Sequence, residues 1–371
     1  MKDKPLYQQL MSLYIDKITG GELSPGSPLP SEAQMTELHG ISNITARRVL
    51  NELKREGYVI REKGRGTYVA EHSEPLPGSM KVISLILARD DAWSKSMEMV
   101  AEISGRLGAM GYYLSIHISH DDVRSEEAFI RKSVRDGVEG MILYGATSSS
   151  NAQLLIELGV RGYPLVMLDR RFDGFPLPSV TSDNVGGAAA ITRYLIERGH
   201  RKICFVSNFS IAETSSIRER YRGFMEALYS ANLQEEFGGY FLIPNSLFER
   251  HRTEGKKEKD LRRLLTGIQE RGITAVVCLS DPVAFQLMAS LEQEGISVPE
   301  QVSVAGFDNL EDSARSLVPL TTVNQDFSSI ARIALDALLV QLEGRVPEPL
   351  HTIVPTTIVE RKSVADLREK Q

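Results

Sequence analysis

Cysteine is scarce, tryptophan occurs once, and no apolar run approaches the length of a bilayer. The two cysteines, Cys204 in "KICFVS" and Cys278 in "AVVCLS", each sit inside an apolar run that reads as a buried strand. Neither has metal-ligand spacing, which excludes a disulfide framework and a thiolate metal site and leaves buried structural thiols. No segment offers the roughly 20 apolar residues that span a membrane, and "MKDKPLYQQL" has no apolar stretch of signal-peptide length. A cytoplasmic location is therefore expected, with no membrane partner. Positive charge is also lacking overall. The formal net charge of -6 excludes general polyanion binding and means that a nucleic-acid partner needs a local basic face. The seven histidines are scattered, and HExxH, GxSxG and P-loop signatures are missing. These absences argue against an enzyme and imply neither a cofactor nor a metal.

What is there divides unevenly along 371 residues, enough for two or three domains. The amino-terminal part has no βαβ rhythm. Leu6, Leu10, Leu13 and Ile18 recur at helical spacing until Gly20-Gly21. Ser31 caps a second helix, with Gln34 three positions on and Gly40 at its close, and Ser42 caps a third whose apolar side is Ala46, Leu50 and Leu53. Two short strands, "YVIR" and "TYVA", follow, joined by the Gly-rich basic turn "EKGRG". Three helices and a hairpin make a winged helix-turn-helix over residues 1–70, with "HGIS" as its connection.

Charge is concentrated there. Residues 41–68 carry seven basic side chains against three acidic ones, whereas residues 73–371 hold 33 basic and 40 acidic. Stepping about 100° per residue from Ala46, Leu50 and Leu53 turns Ile44, Arg48 and Arg55 away from the core, with Thr45 and Arg47 on the flanks. A face of this kind fits the major groove of double-stranded DNA. There the first residues of a helix reach base edges, arginines meet phosphate or guanine, and Ile44 suits a thymine methyl. A merely solvated basic face is the bland alternative, and the head's topology and basic hairpin tip weigh against it.

"EHSEPLPGS", residues 71–79, has linker chemistry. Beyond it the apolar runs "KVISLILA", "YYLSIHI", "GMILYG", "PLVMLD", "KICFVS", "YFLIP", "AVVCLS" and "VSVAGFD" alternate with helical stretches. This α/β pattern predicts parallel sheets covered on both faces, and its length over residues 80–371 predicts two doubly wound lobes. Ligands in such sheets sit beyond the carboxyl ends of strands. The residues found there are Trp93, Asp169 with Arg170 and Arg171, and Asp281, together with Ser216 and Arg220 on one face of a helix start. Carboxylates and an arginine fork can hold vicinal hydroxyls, and an aromatic ring can stack on a sugar, so the set points to a small, neutral, hydroxyl-rich ligand. The bland alternatives are packing for Trp93, helix capping for Asp281 and a loop ion pair for Asp169.

Two resemblances extend this reading. "PLYQQL", "GELSPGSPLPSE", "GISNITARRVLNELKREGYV" and "GRGTYV" resemble the GntR-family winged-helix domain from Pro5 to Val69. The match implies that Thr45, Arg47, Lys63, Gly64 and Arg65 lie at DNA. Ala33 and Asn43 stand where members often carry arginine, and Asn43 suits adenine. "VTSDNVGGAAAITRYLIERGHRKICFVS", "RERYRGFMEAL", "TAVVCLSDPVAFQLMASLEQEGISVPEQVSVAGFDN" and "PLTTVNQD" resemble the LacI/GalR effector domain, which shares the fold of type I periplasmic sugar-binding proteins. That likeness implies that Asp169, Ser216, Arg220 and Asp281 hold ligand, with Trp93 in the matching first loop. Together they imply a transcriptional regulator, by analogy a repressor, controlled by a small sugar such as the pentose arabinose. A purine or other non-sugar corepressor is the alternative. One winged helix makes few phosphate contacts, so a homodimer on a near-palindromic operator is expected.

Overall fold

The computed structural model describes residues 6–62, 65–70, 80–88, 93–243 and 264–368. At the amino end, α1 (Leu6–Thr19), α2 (Glu32–His39) and α3 (Asn43–Arg55) precede an antiparallel pair, β1 (Val59–Glu62) and β2 (Gly66–Val69). Leu10, Tyr14, Ile18, Met35, Ala46, Val49, Leu50, Leu53 and Val59 form one apolar core between them. Local chemistry starts the second and third helices. Ser31 Oγ accepts from Gln34 N at 3.3 Å while Gln34 Oε1 accepts from Ser31 N at 2.9 Å, a reciprocal box. Ser42 Oγ accepts from Thr45 N at 3.2 Å. Each cap contributes about 1 kcal/mol.

The remainder forms two lobes of parallel sheet. The first lobe (the N-lobe) contains β3 (Lys81–Leu87), α4 (Trp93–Ala109), β4 (Tyr112–Ile118), α5 (Val123–Arg135), β5 (Gly140–Tyr144), α6 (Ala152–Val160), β6 (Leu165–Leu168) and β7 (Ser179–Ser182). The second (the C-lobe) contains α7 (Asn184–Glu197), β8 (Ile203–Ser207), α8 (Ser215–Ser230), β9 (Phe237–Leu242), β10 (Ala275–Cys278), α9 (Asp281–Gln293), β11 (Ser303–Asp308), α10 (Asp312–Arg315) and β12 (Thr321–Asn324). The chain then returns to the N-lobe through α11 (Phe327–Leu342) and β13 (His351–Val354), and ends in the C-lobe with β14 (Thr357–Val359). Strand order is β13-β7-β6-β5-β3-β4 in one sheet and β14-β12-β11-β10-β8-β9 in the other, with only β14 antiparallel. The chain therefore crosses between lobes three times, after β7, β12 and β13.

All eight apolar runs of the sequence are strands. The four strands not foreseen, β7, β12, β13 and β14, are short and rich in serine and threonine. Burial still holds β7, whose Ser179 Oγ lies 2.9 Å from His351 Nδ1 and whose Ser182 Oγ donates to Gln325 Oε1 at 2.6 Å. Both cysteines are free and buried, and burial pushes both thiols up. No helix among the described residues is long and apolar enough to cross a membrane.

Helices α7 and α8 cross closely because Gly223 has no side chain: a Cβ there would come within 2.1 Å of the Val185 carbonyl oxygen. Gly223→Ala should therefore destabilise the C-lobe by about 2 kcal/mol, as overpacking does. A lower urea midpoint checks this, and an unchanged midpoint would mean that the crossing can widen freely.

Candidate effector cleft and nucleic-acid interface

The strand ends of the two lobes face each other across a cleft. Asp169 follows β6 in a left-handed conformation (φ 59°) and is 5% exposed. Burial pushes its carboxyl above the usual range, against the pull of Arg220 and Arg170. Its Oδ1 has no hydrogen-bond partner among the described residues, and neither has Nε of the adjacent Arg170. The rest of the Arg170 guanidinium donates to the Gly145 carbonyl and, at 2.7 Å, to the Ala146 carbonyl, and lies over the Tyr144 ring.

Arg220, from the first turns of α8, approaches from the other lobe. Its Nε donates to Asn184 Oδ1 at 2.9 Å, its Nη1 donates to the Leu279 carbonyl at 2.8 Å, and its guanidinium lies 3.8 Å above the Phe307 ring. The same Nη1 is 3.4 Å from Asp308 Oδ1. Ser216 lies one turn earlier, its Oγ 3.2 Å from Thr214 Oγ1. Asp169, Arg170, Ser216 and Arg220 line one cavity of about 100 Å³, together with Lys95, Asn208, Asp308, Gln325 and Phe327. The lobes touch along its rim, where Ser215 N donates to Ser148 Oγ at 2.6 Å, Arg218 pairs with Asp173 at 2.6 Å, and Arg171 pairs with Glu219.

One expectation about the cleft needs revision, and a second falls outside the described residues. Asp281 opens α9, yet its carboxylate faces away from this cavity. It accepts from Leu310 N at 2.8 Å, Ser313 Oγ at 2.5 Å and Thr322 Oγ1 at 2.6 Å, and it is fully buried. With three donors bound, it holds the loop after β11. Trp93 contributes the first residue of α4, but its side chain lies outside the described residues.

Asp308 and Gln325 are among the cavity residues that sequence reasoning missed. Asp308, at the end of the "VSVAGFD" strand, is pushed from 3.8 to about 8, chiefly by burial, with Arg220 opposing and Asp281 and Asp169 adding. Gln325 Nε2 donates to Asp308 Oδ1 at 2.5 Å, while its Oε1 takes the Ser182 bond at the lobe crossing. The signal was present in "PLTTVNQD", which the reading used only as a resemblance.

In the head, Asn43 and Ile44 begin α3 and are exposed. Thr45 is half-buried, with its Oγ1 2.9 Å from Ser42 Oγ. Arg47 is held by Glu32 of α2 at 3.1 Å, and Glu32 also holds Arg61 of β1 at 2.7 Å. Arg65 is exposed and pairs with Glu62 at 3.0 Å, while Lys63 and Gly64 lie outside the described residues. Arg48 corrects the helical-wheel assignment. Its guanidinium stacks 3.7 Å above the Tyr7 ring of α1, and its Nη1 is buried without a hydrogen-bond partner among the described residues. It is thus a packing cation between two helices. The outer face of α3 also touches the N-lobe: Arg47 Nη1 donates to the Arg161 carbonyl at 3.1 Å, and Arg55 pairs with Glu139.

Two stretches of the chain match known families. Residues 6–69 match the family of bacterial regulatory proteins called gntR, and residues 192–364 match a periplasmic binding protein-like domain. The arabinose metabolism transcriptional repressor of Geobacillus stearothermophilus is 26% identical, covering 98% of this chain and 99% of its own. The transcriptional repressor PurR of Aliivibrio salmonicida is 28% identical over 73% of this chain and 78% of its own. The crystal structure of the transcription regulator GntR from Chromobacterium violaceum superposes with a TM-score of 0.63 at 26% identity, covering 76% of this chain and 99% of that one.

The cleft carries its own pH dependence. A carboxyl whose folded pKa lies above the unfolded one binds its proton more tightly in the folded chain, so stability falls as pH rises between the two values. For Asp308 that window runs from 3.8 to about 8. Between about pH 5 and about pH 8 the wild-type melting temperature should fall relative to Asp308→Asn, which mimics the neutral acid. Parallel curves for the two proteins would show Asp308 ionised throughout. By its matches and its architecture the chain is a transcriptional regulator rather than an enzyme, joining a gntR-type DNA-binding head to a periplasmic binding protein-like effector domain.

Proposed function

We propose that the chain represses transcription as a cytoplasmic homodimer, with residues 1–70 on a near-palindromic operator and residues 80–371 as the receptor for a small sugar. Residues 71–79 join the two. One observation carries the effector reading. Asp169 Oδ1 and Arg170 Nε, neighbours in the chain, are both buried without a hydrogen-bond partner among the described residues, on the wall of one cavity of about 100 Å³. An unsatisfied buried acceptor beside an unsatisfied buried donor is costly, and a hydroxyl can satisfy both because it donates and accepts. The cavity is far smaller than the roughly 300–1,000 Å³ typical of drug-sized ligands, which favours a monosaccharide, a pentose included. The resemblance to arabinose metabolism repressors supports the same class.

On the DNA side, Asn43, Ile44, Thr45 and Arg47 on the first turns of α3 read the major groove, and Lys63, Gly64 and Arg65 of the wing meet the backbone. The sugar closes the lobes and lowers operator affinity. Its leverage equals its differential affinity for the two lobe arrangements, typically about 1–3 kcal/mol of coupling.

Arg47→Ala should weaken operator binding at least tenfold and leave sugar binding unchanged; parallel loss of both would remove the division of labour. Arg220→Ala should keep operator binding and abolish the sugar response, as gel shifts with and without sugar will show. A thermal-shift screen of pentoses, hexoses and nucleobases tests the ligand class, and stabilisation by purines alone would replace the sugar with a corepressor.

A further inference from the structure

We propose that an edge of the N-lobe is a docking surface for the chain's own recognition helix, and that the docked head is a DNA-free state that must open before an operator can bind. This rests on the reading of α3 as the DNA-contacting helix. Four residues along one side of α3 meet the lobe. Ile44 lies against Gly162, where a Cβ would come within 2.4 Å of Ile44 Cδ1 and 2.6 Å of its Cγ1. Thr45 Oγ1 stands 3.5 Å from the position of a Cβ on Gly344. Arg47 Nη1 donates to the Arg161 carbonyl at 3.1 Å, and Arg55 pairs with both Glu139 and Glu52, in surroundings where all three side chains are at most 16% exposed.

The chemistry of the surface matches its occupant. Arg161 caps the carboxyl end of α6, and Gly344 follows Glu343, which caps the carboxyl end of α11. Carbonyls at helix carboxyl ends carry partial negative charge and attract cations. Two such ends and the Glu139 carboxylate therefore offer a basic helix what phosphates offer it. Gly162 admits Ile44, the residue suited to a thymine methyl in the groove. Because Ile44, Thr45 and Arg47 serve both partners, lobe and operator exclude each other. Apparent operator affinity is then the intrinsic affinity reduced by the fraction of heads undocked.

Two substitutions on the lobe, neither in the DNA interface, test this. Glu139→Gln removes the partner charge of Arg55. Gly162→Asn places a side chain under Ile44 while tolerating the positive φ of 65° at that site. Both should tighten operator binding by at least about threefold, the gain expected if most heads are docked. A sugar-induced thermal shift equal to that of wild type would show each variant folded. Docking is read separately by spin labels on Leu38→Cys of α2 and Val160→Cys of α6, two exposed positions in a chain whose own cysteines are buried. Without DNA, wild type should give a short, narrow distance distribution that Gly162→Asn lengthens and broadens. Operator should do the same to wild type. Unchanged affinity in both variants, or label distances indifferent to Gly162→Asn, would overturn the proposal. Wild-type protein that ignores duplex DNA while the labels still report docking would instead sink the DNA-binding reading and leave the contact standing.

Discussion

Arg220 is held by the protein's own groups, and the cleft is built around it. Its Nε and Nη1 are held by Asn184 at the start of α7 and by the carbonyl that follows β10, and its flat face rests on Phe307 of β11. Burying a guanidinium costs several kcal/mol unless acceptors and opposite charge surround it. Here the nearest carboxyl, Asp308, is itself driven towards neutrality by burial. Arg220 also acts on Asp169 of the opposite lobe, where its charge opposes but does not outweigh the upward push of burial on that carboxyl. Direct contacts at the rim, Ser148 with Ser215 and Asp173 with Arg218, join the two lobes.

Closure has somewhere to go because the cleft and the crossings share a side chain. Gln325 bonds Asp308 in the cavity and Ser182 beside the hinge. Strands β5 and β6 run from one end of the N-lobe to the other. Their carboxyl ends lead into Gly145, Ala146, Asp169 and Arg170 at the cavity, and Glu139 and Arg161–Gly162 precede their amino ends beneath α3. A packed parallel sheet moves as a unit. Any reorientation of the N-lobe on ligand binding therefore carries the docking edge with it, and no chain of special contacts is needed between the two ends.

Much of this was legible in the sequence. Long apolar runs give themselves away, because a parallel strand buried on both faces must be apolar, and caps such as Ser31 with Gln34 depend on neighbours three residues apart. The strands at the lobe crossings were hidden for a physical reason. β7 reads "SVTS" and β12 reads "TTVN", and the hydroxyls of Ser179 and Ser182 find their partners far along the chain, at His351 and Gln325. Asp281 misled because a carboxylate at a strand end looks alike whether it faces a cavity or three internal donors. Arg48 misled for a related reason: a helical wheel placed it outside the core formed by Ala46, Leu50 and Leu53, yet α1 supplies Tyr7 on that side. Both errors concern what a polar side chain faces across a distance in sequence, which spacing along one element does not contain.

The charge asymmetry that first marked the head has a second consequence. Seven basic side chains crowd residues 41–68 on a chain that is acidic elsewhere, so the body itself is the nearest anionic surface to the head at all times. A tethered partner competes through effective concentration, which a short linker places in the millimolar range. Salt does not weaken the two competitors equally. Operator binding releases condensed counterions, about 0.9 for each phosphate neutralised, and falls steeply as ionic strength rises. The docked contact releases no such atmosphere, and its Arg55–Glu139 ion pair is largely shielded from solvent, where screening is weaker. Rising ionic strength therefore shifts the balance from bound operator towards the docked head, while the salt slope of operator binding remains that of its phosphate contacts.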